Sequence, residues 1–98
     1  MAPKSTDEVL AELTRQKPIL GERFRIRSMA LFGSYARGEQ TEASDVDILV
    51  DVDPAIGLEF VTLADTLETL LGLPVELVST RALSTRARNH IAPELIHV

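Results

Sequence analysis

The stretch from Gly33 to Asp47 constrains this chain more than any other. Arg25 to Phe32 alternates, with Ile26, Ser28, Ala30 and Phe32 on one side and Met29 and Leu31 on the other. It reads as a strand ending at Gly33. Ser34 to Gly38 begins like a helix N-terminus, and Glu39 to Ser44 is a polar loop. Val46-Asp47-Ile48-Leu49-Val50-Asp51-Val52 is the clearest strand in the chain, a β-branched run ended by Pro54 and Gly57. A small-residue turn after one strand is thus followed closely by two carboxylates, Asp45 and Asp47, at the start of the next.

Each half has a chemistry. A strand that ends in Gly-Ser and turns into a helix presents backbone N–H groups at the positive end of the helix dipole. Gly33 can adopt φ > 0 and has no Cβ to block a phosphate, and the Ser34 hydroxyl can donate to a phosphate oxygen. Residues i and i+2 of a strand share a face, roughly 6.5–7 Å apart at Cα, so Asp45 and Asp47 converge on one volume. Two like charges there are unfavourable unless cations neutralise them. Mg²⁺ suits such a pair, because it takes one or two carboxylates and completes its shell with phosphate oxygens and water. Two ions about 3.5–4 Å apart can activate an attacking oxygen and stabilise a leaving pyrophosphate. Taken singly, Gly-Ser is a turn with an N-cap serine and D-V-D a solvated strand edge; the combination carries the signal. Asp51 lies about 13 Å from Asp47 at strand rise, too far for the same ions. Asp51 and Asp53 read as strand-end and turn residues, and an EF-hand is excluded because the third ligand and the turn glycine are missing.

The remaining elements follow from periodicity. Ser5-Thr6-Asp7-Glu8 is a capping box opening a helix with Val9, Leu10 and Leu13 on one face, which Pro18 should stop at Gln16 or Lys17. From Leu58, the residues Phe60, Val61, Leu63, Ala64, Leu67, Leu70 and Leu71 recur at helical spacing, with Gly72 as the C-terminal cap. Val75 to Val78 is a third strand, Ser84 to Ile91 a last helix ended by Pro93, and Leu95 to Val98 a short edge strand. With 98 residues, one domain is the default, with residues 1–5 a flexible lead-in. There is no cysteine, which excludes disulfides, thiolate zinc sites and a cysteine nucleophile. No apolar run approaches the ~20 residues that span a bilayer, and the polar opening Met1-Ala2-Pro3-Lys4 argues against a secretory signal, so a cytoplasmic protein is expected. A net charge of −5 argues against direct nucleic-acid binding. The arginines cluster at 23, 25 and 27 and at 81, 86 and 88, each group either a solvated face or a seat for a phosphate or an acidic protein.

The pattern G-S-x-A-R-G followed by D-x-D at the head of a strand resembles the active-site signature of the DNA polymerase β-like nucleotidyltransferases. The short chain is similar to the minimal nucleotidyltransferases (MNT), antitoxin partners of HEPN toxins; the likeness extends from Ile26 to Val98. The resemblance implies an α/β (α+β) fold: a single small nucleotidyltransferase domain whose mixed sheet of three to four strands is covered by helices. It implies metal ligation by Asp45 and Asp47, with a pair of Mg²⁺ ions, and nucleotide binding through Gly33 and Ser34. It also implies a third carboxylate on the neighbouring strand. Glu76 stands where relatives usually carry Asp, either as third ligand and catalytic group or as a polar strand residue. Arg37 either neutralises nucleotide phosphates or anchors an acid of the fold. Tyr35, the only tyrosine, either stacks on the base or packs as a structural aromatic. The implied reaction is transfer of AMP from ATP to a tyrosine of a cognate HEPN ribonuclease toxin. The alternatives are a module that neutralises a toxin by contact alone and transfer to a small molecule.

Overall fold

The computed structural model describes residues 4–98. A 19-residue helix, α1 (Thr6–Phe24), leads into strand β1 (Ile26–Phe32) and a single-turn helix α2 (Gly33–Arg37). Strand β2 (Val46–Val52), helix α3 (Glu59–Leu71), strand β3 (Val75–Ser79), helix α4 (Thr85–Ile91) and the two-residue strand β4 (Ile96–His97) follow. The sheet order is β3-β2-β1-β4. β1 runs antiparallel to both β2 and β4, whereas β2 and β3 are parallel. The parallel pair requires a crossover, which α3 supplies. The result is the expected mixed sheet of four strands with helical cover.

The core lies between this sheet and α1 and α3. Val9, Leu13, Leu20 and Phe24 of α1 meet Leu63, Leu67 and Leu71 of α3 and the inner residues Met29, Leu31, Ile48 and Val50 of the two central strands. The helical spacing of the α3 leucines and the buried apolar run Ile48-Leu49-Val50 of β2 are what burial on one face and in mid-sheet require. β3 is held in place at its start: the Val75 N–H donates to the Glu68 carboxylate at 2.9 Å, and the Val46 N–H donates to the Pro74 carbonyl at 2.8 Å. These two bonds set the register that puts Glu76 opposite Asp47.

The capping box at Ser5 and Glu8 forms as expected, so Ser5 belongs to the ordered helix start; of the expected lead-in, residues 1–3 lie outside the described residues. Pro18 does not stop α1. An internal proline removes one hydrogen bond and crowds the preceding turn, at about 3 kcal/mol. Burial of Leu20 and Phe24 beyond it, roughly 2 kcal/mol each, offsets that cost. The helix instead ends at Arg25, in the left-handed region at φ 56°, with its N–H on the Gly21 carbonyl. Ser34 is not an N-cap: Phe32 holds that position, and Ser34 lies inside α2. Among the described residues, no helix is long and apolar enough to cross a membrane.

Candidate active site

The topology gathers the signature at one end of the sheet. β1 finishes at Phe32, whose register partner on β2 is Asp47, and the partner of Asp47 on β3 is Glu76. Asp45 stands just before β2. Its loop is shaped by Thr41 and Ser44: the Thr41 N–H donates to Ser44 Oγ at 2.9 Å, and the Ser44 N–H returns to the Thr41 carbonyl at 3.0 Å. Asp45 and Glu76 are exposed, whereas Asp47 is half-buried.

Asp47 is the electrostatic centre. Its carboxyl is pushed up to about 6 from an ordinary 3.8, first by burial, then by a hydrogen bond with Glu76 and by the charges of Glu76, Asp45 and Glu94. A carboxylate held this way, with acids on several sides, lacks a counter-charge. Among the described residues no three carboxylate or imidazole side chains form a ready-made metal cage. Mg²⁺ needs none, since it usually keeps several waters and relies on one or two carboxylates plus substrate phosphates. Asp47 with Asp45 or Glu76 fits that donor set, and a divalent cation would supply the charge the cluster lacks.

Gly33 is fixed by this carboxylate. It adopts φ 75°, and a Cβ built on it would lie 2.0 Å from Asp47 Oδ2 and 3.0 Å from Cγ. The glycine is therefore needed because Asp47 packs against its Cα, a reason the chain alone did not reveal. The Gly33 N–H is taken up within the fold, donating to Glu94 Oε1 at 3.1 Å. The other Glu94 oxygen accepts from Arg37 Nη1 at 2.8 Å, and Arg37 Nε donates to Glu39 at 3.2 Å. Of the two roles open for Arg37, this geometry realises the anchor of an acid. Arg37 in turn holds the Glu94 carboxyl below the usual carboxylate range.

Tyr35 is 1% exposed, so it is a core aromatic and cannot stack on a base in this arrangement. Burial raises its phenol above the ordinary value. Asp53 is the turn residue expected: its carboxylate accepts the Ala55 N–H at 2.9 Å and lies 3.5 Å from Arg25. The arginine clusters disperse. Arg23 lies 4.6 Å over the Phe24 ring, Arg81 donates to the Val52 carbonyl at 2.8 Å, and Arg88 donates to the Thr80 carbonyl at 2.9 Å. Glu94 is the site residue that sequence reasoning missed. It follows Pro93 in a short 3-10 turn with no motif around it, and only the pairing of β4 with β1 brings it to Gly33.

A Gly-Ser turn at the end of one strand, two acids at the head of its antiparallel partner and a third on the next strand, in a four-stranded mixed sheet, define a nucleotidyltransferase of the minimal type. Comparison with known proteins agrees. A family model described as the nucleotidyltransferase domain matches residues 13–96, and the chain belongs to that family. It is 43% identical over its full length, and over the full length of the relative, to the protein adenylyltransferase MntA of Thermococcus cleftensis. A solved structure provisionally assigned as a minimal nucleotidyltransferase superposes with TM-score 0.82 at 32% identity, covering 95% of each chain. A chain in a crystal structure of a toxin–antitoxin with AMP-PNP superposes with TM-score 0.68 at 26% identity, covering 96% of this chain and 72% of that one. The chain is thus an enzyme of the nucleotidyltransferase class whose named relatives are protein adenylyltransferases.

Proposed function

We propose that this protein transfers AMP from Mg·ATP to a tyrosine hydroxyl of a HEPN-type ribonuclease toxin and thereby acts as its antitoxin. The observation that carries the proposal is the Asp47 carboxylate, held half-buried against Gly33 and Glu76 at the strand ends. The MntA relative and the toxin–antitoxin structure that holds an ATP analogue support the nucleotide and the partner class.

Asp47, with Asp45 or Glu76, would hold Mg²⁺, which when bound supplies positive charge to the triphosphate and to the oxygen that attacks it. Ser34, in the first turn of α2, would offer its hydroxyl as a donor to the phosphates. Arg37 has five N–H donors, and after its bonds to Glu94 and Glu39 others remain for phosphate oxygens. Glu76, exposed beside Asp47, is the group that can accept the proton leaving the acceptor hydroxyl. The acceptor comes from another protein: the single tyrosine of this chain is Tyr35, and it is sealed in the core. AMP on a tyrosine near the toxin's nuclease site would repel RNA phosphates and block their entry.

A module that neutralises the toxin by contact alone is the second reading. It is favoured by Glu76 standing where Asp is usual. Incubation of this protein with Mg·ATP and the toxin, followed by intact-mass analysis, separates the two. The enzyme adds AMP units to tyrosine, and the Asp45→Asn, Asp47→Asn double variant adds none. Full neutralisation by that double variant, with no mass change for the wild type, would leave contact alone.

A further inference from the structure

Glu94 reaches the signature from the far end of the chain and occupies the groups a phosphate needs. Its two oxygens take the Gly33 N–H at 3.1 Å and Arg37 Nη1 at 2.8 Å, a bidentate arrangement like that of a bound phosphate. The two contacts differ in what they leave available. Arg37 has donors to spare, so it can hold Glu94 and a phosphate together. The Gly33 amide has a single hydrogen and cannot serve both. Glu94 also lies close enough to Asp47 for its charge to act there, so a triphosphate arriving with Glu94 in place meets one more negative group.

Glu94 sits in the Ala92–Glu94 turn between α4, which buries none of its residues, and β4. Beyond it the chain is anchored by Ile96 and Val98, which pack on the core, and by the Val98 N–H on the Met29 carbonyl at 3.0 Å. The Glu94 side chain is partly exposed, so its carboxylate can swing off the Gly33 amide while the backbone and the core stay in place. Resting on the nucleotide reading above, we propose that Glu94 is an internal stand-in for a nucleotide phosphate. It keeps Gly33 and Arg37 paired in the free enzyme and leaves the Gly33 amide when Mg·ATP binds, which makes it a determinant of nucleotide affinity. It does not touch the reacting atoms.

Glu94→Gln tests this, because it keeps the size and the acceptor oxygen but removes the charge. Calorimetry with Mg·AMP-CPP, a non-reacting ATP analogue, reads the affinity. If Glu94 holds the amide about nine-tenths of the time, Glu94→Ala, which removes the acceptor altogether, binds about tenfold tighter, and Glu94→Gln gains the part that comes from the charge. Amide NMR of the wild type, with Gly33 assigned, should show its resonance moving on titration with the analogue while the core strand amides stay. Glu94→Ala should bind at least as tightly as Glu94→Gln. Unchanged or weaker binding by both variants would overturn the proposal and make Glu94 a fixed strut for Arg37. So would a Gly33 resonance that stays in place while the wild type binds. No binding of the analogue by any variant, wild type included, would overturn the nucleotide reading and this proposal with it.

Discussion

Replacing Asp47 with Asn should stabilise the metal-free protein at neutral pH, although under the proposed function it removes a metal ligand. The free carboxyl is near 3.8 and the folded one is pushed up to about 6. The folded state therefore binds the proton more tightly than the unfolded chain. Below pH ~4 both states are protonated and Asp47 exerts no penalty. As pH rises through 6 the folded protein must ionise Asp47 beside Glu76 and Asp45, and stability falls. A shift of about two units corresponds to about 3 kcal/mol, and solvent screening at a half-buried site reduces this to about 1 kcal/mol. Asn keeps the shape that packs on Gly33, and its amide can donate to Glu76 at any pH. In a domain of this size 1 kcal/mol moves the melting temperature by about 4–8 °C. Thermal melts in chelator should show that gain at pH 7.5 and none at pH 4.0. Excess Mg²⁺ should raise the wild-type melting temperature at pH 7.5 and narrow the gap, because the cation supplies the charge that Asn makes unnecessary. An equal or lower melting temperature for Asp47→Asn at pH 7.5 would show that the carboxylate is satisfied by the fold alone.

Further substitutions probe the rest of the site and its frame. Gly33→Ala should destabilise by about 1–3 kcal/mol in urea titrations, since the new Cβ meets Asp47 Oδ2 at 2.0 Å and the backbone is left-handed; full retention of stability would contradict the packing. Glu76→Gln should slow AMP transfer by about 100-fold or more with little change in nucleotide affinity, while Glu76→Asp keeps substantial activity; full activity of the Gln variant would reduce Glu76 to a surface strand residue. Pro18→Ala should raise stability by about 1–3 kcal/mol, by restoring a helical hydrogen bond within α1; an unchanged denaturation midpoint would show that the helix already accommodates the ring. Leu63→Ala, at a fully buried position, should lower stability by about 2–5 kcal/mol, measured the same way.

Local pattern alone determined much of this protein. The β-branched run of β2, the leucine spacing of α3 and the capping box at Ser5 are short-range signals, and each produced its element within a residue or two. The signature located the candidate site for the same reason, because Gly33-Ser34 and Asp45-x-Asp47 lie within fifteen residues of one another. Tertiary structure decided what depends on distant neighbours. Pro18 sits inside α1 because Leu20 and Phe24 gain a core beyond it, and that burial is invisible to a local rule. Tyr35 became core rather than base platform because α2 turns its ring inward. The packing of Asp47 on Gly33 appears only once β1 and β2 are antiparallel and in register. Glu94 lies 61 positions from Gly33 and reaches it because β4 adds to the edge of β1. A carboxylate's role follows from the charges and donors around it, and long-range pairing assembles those.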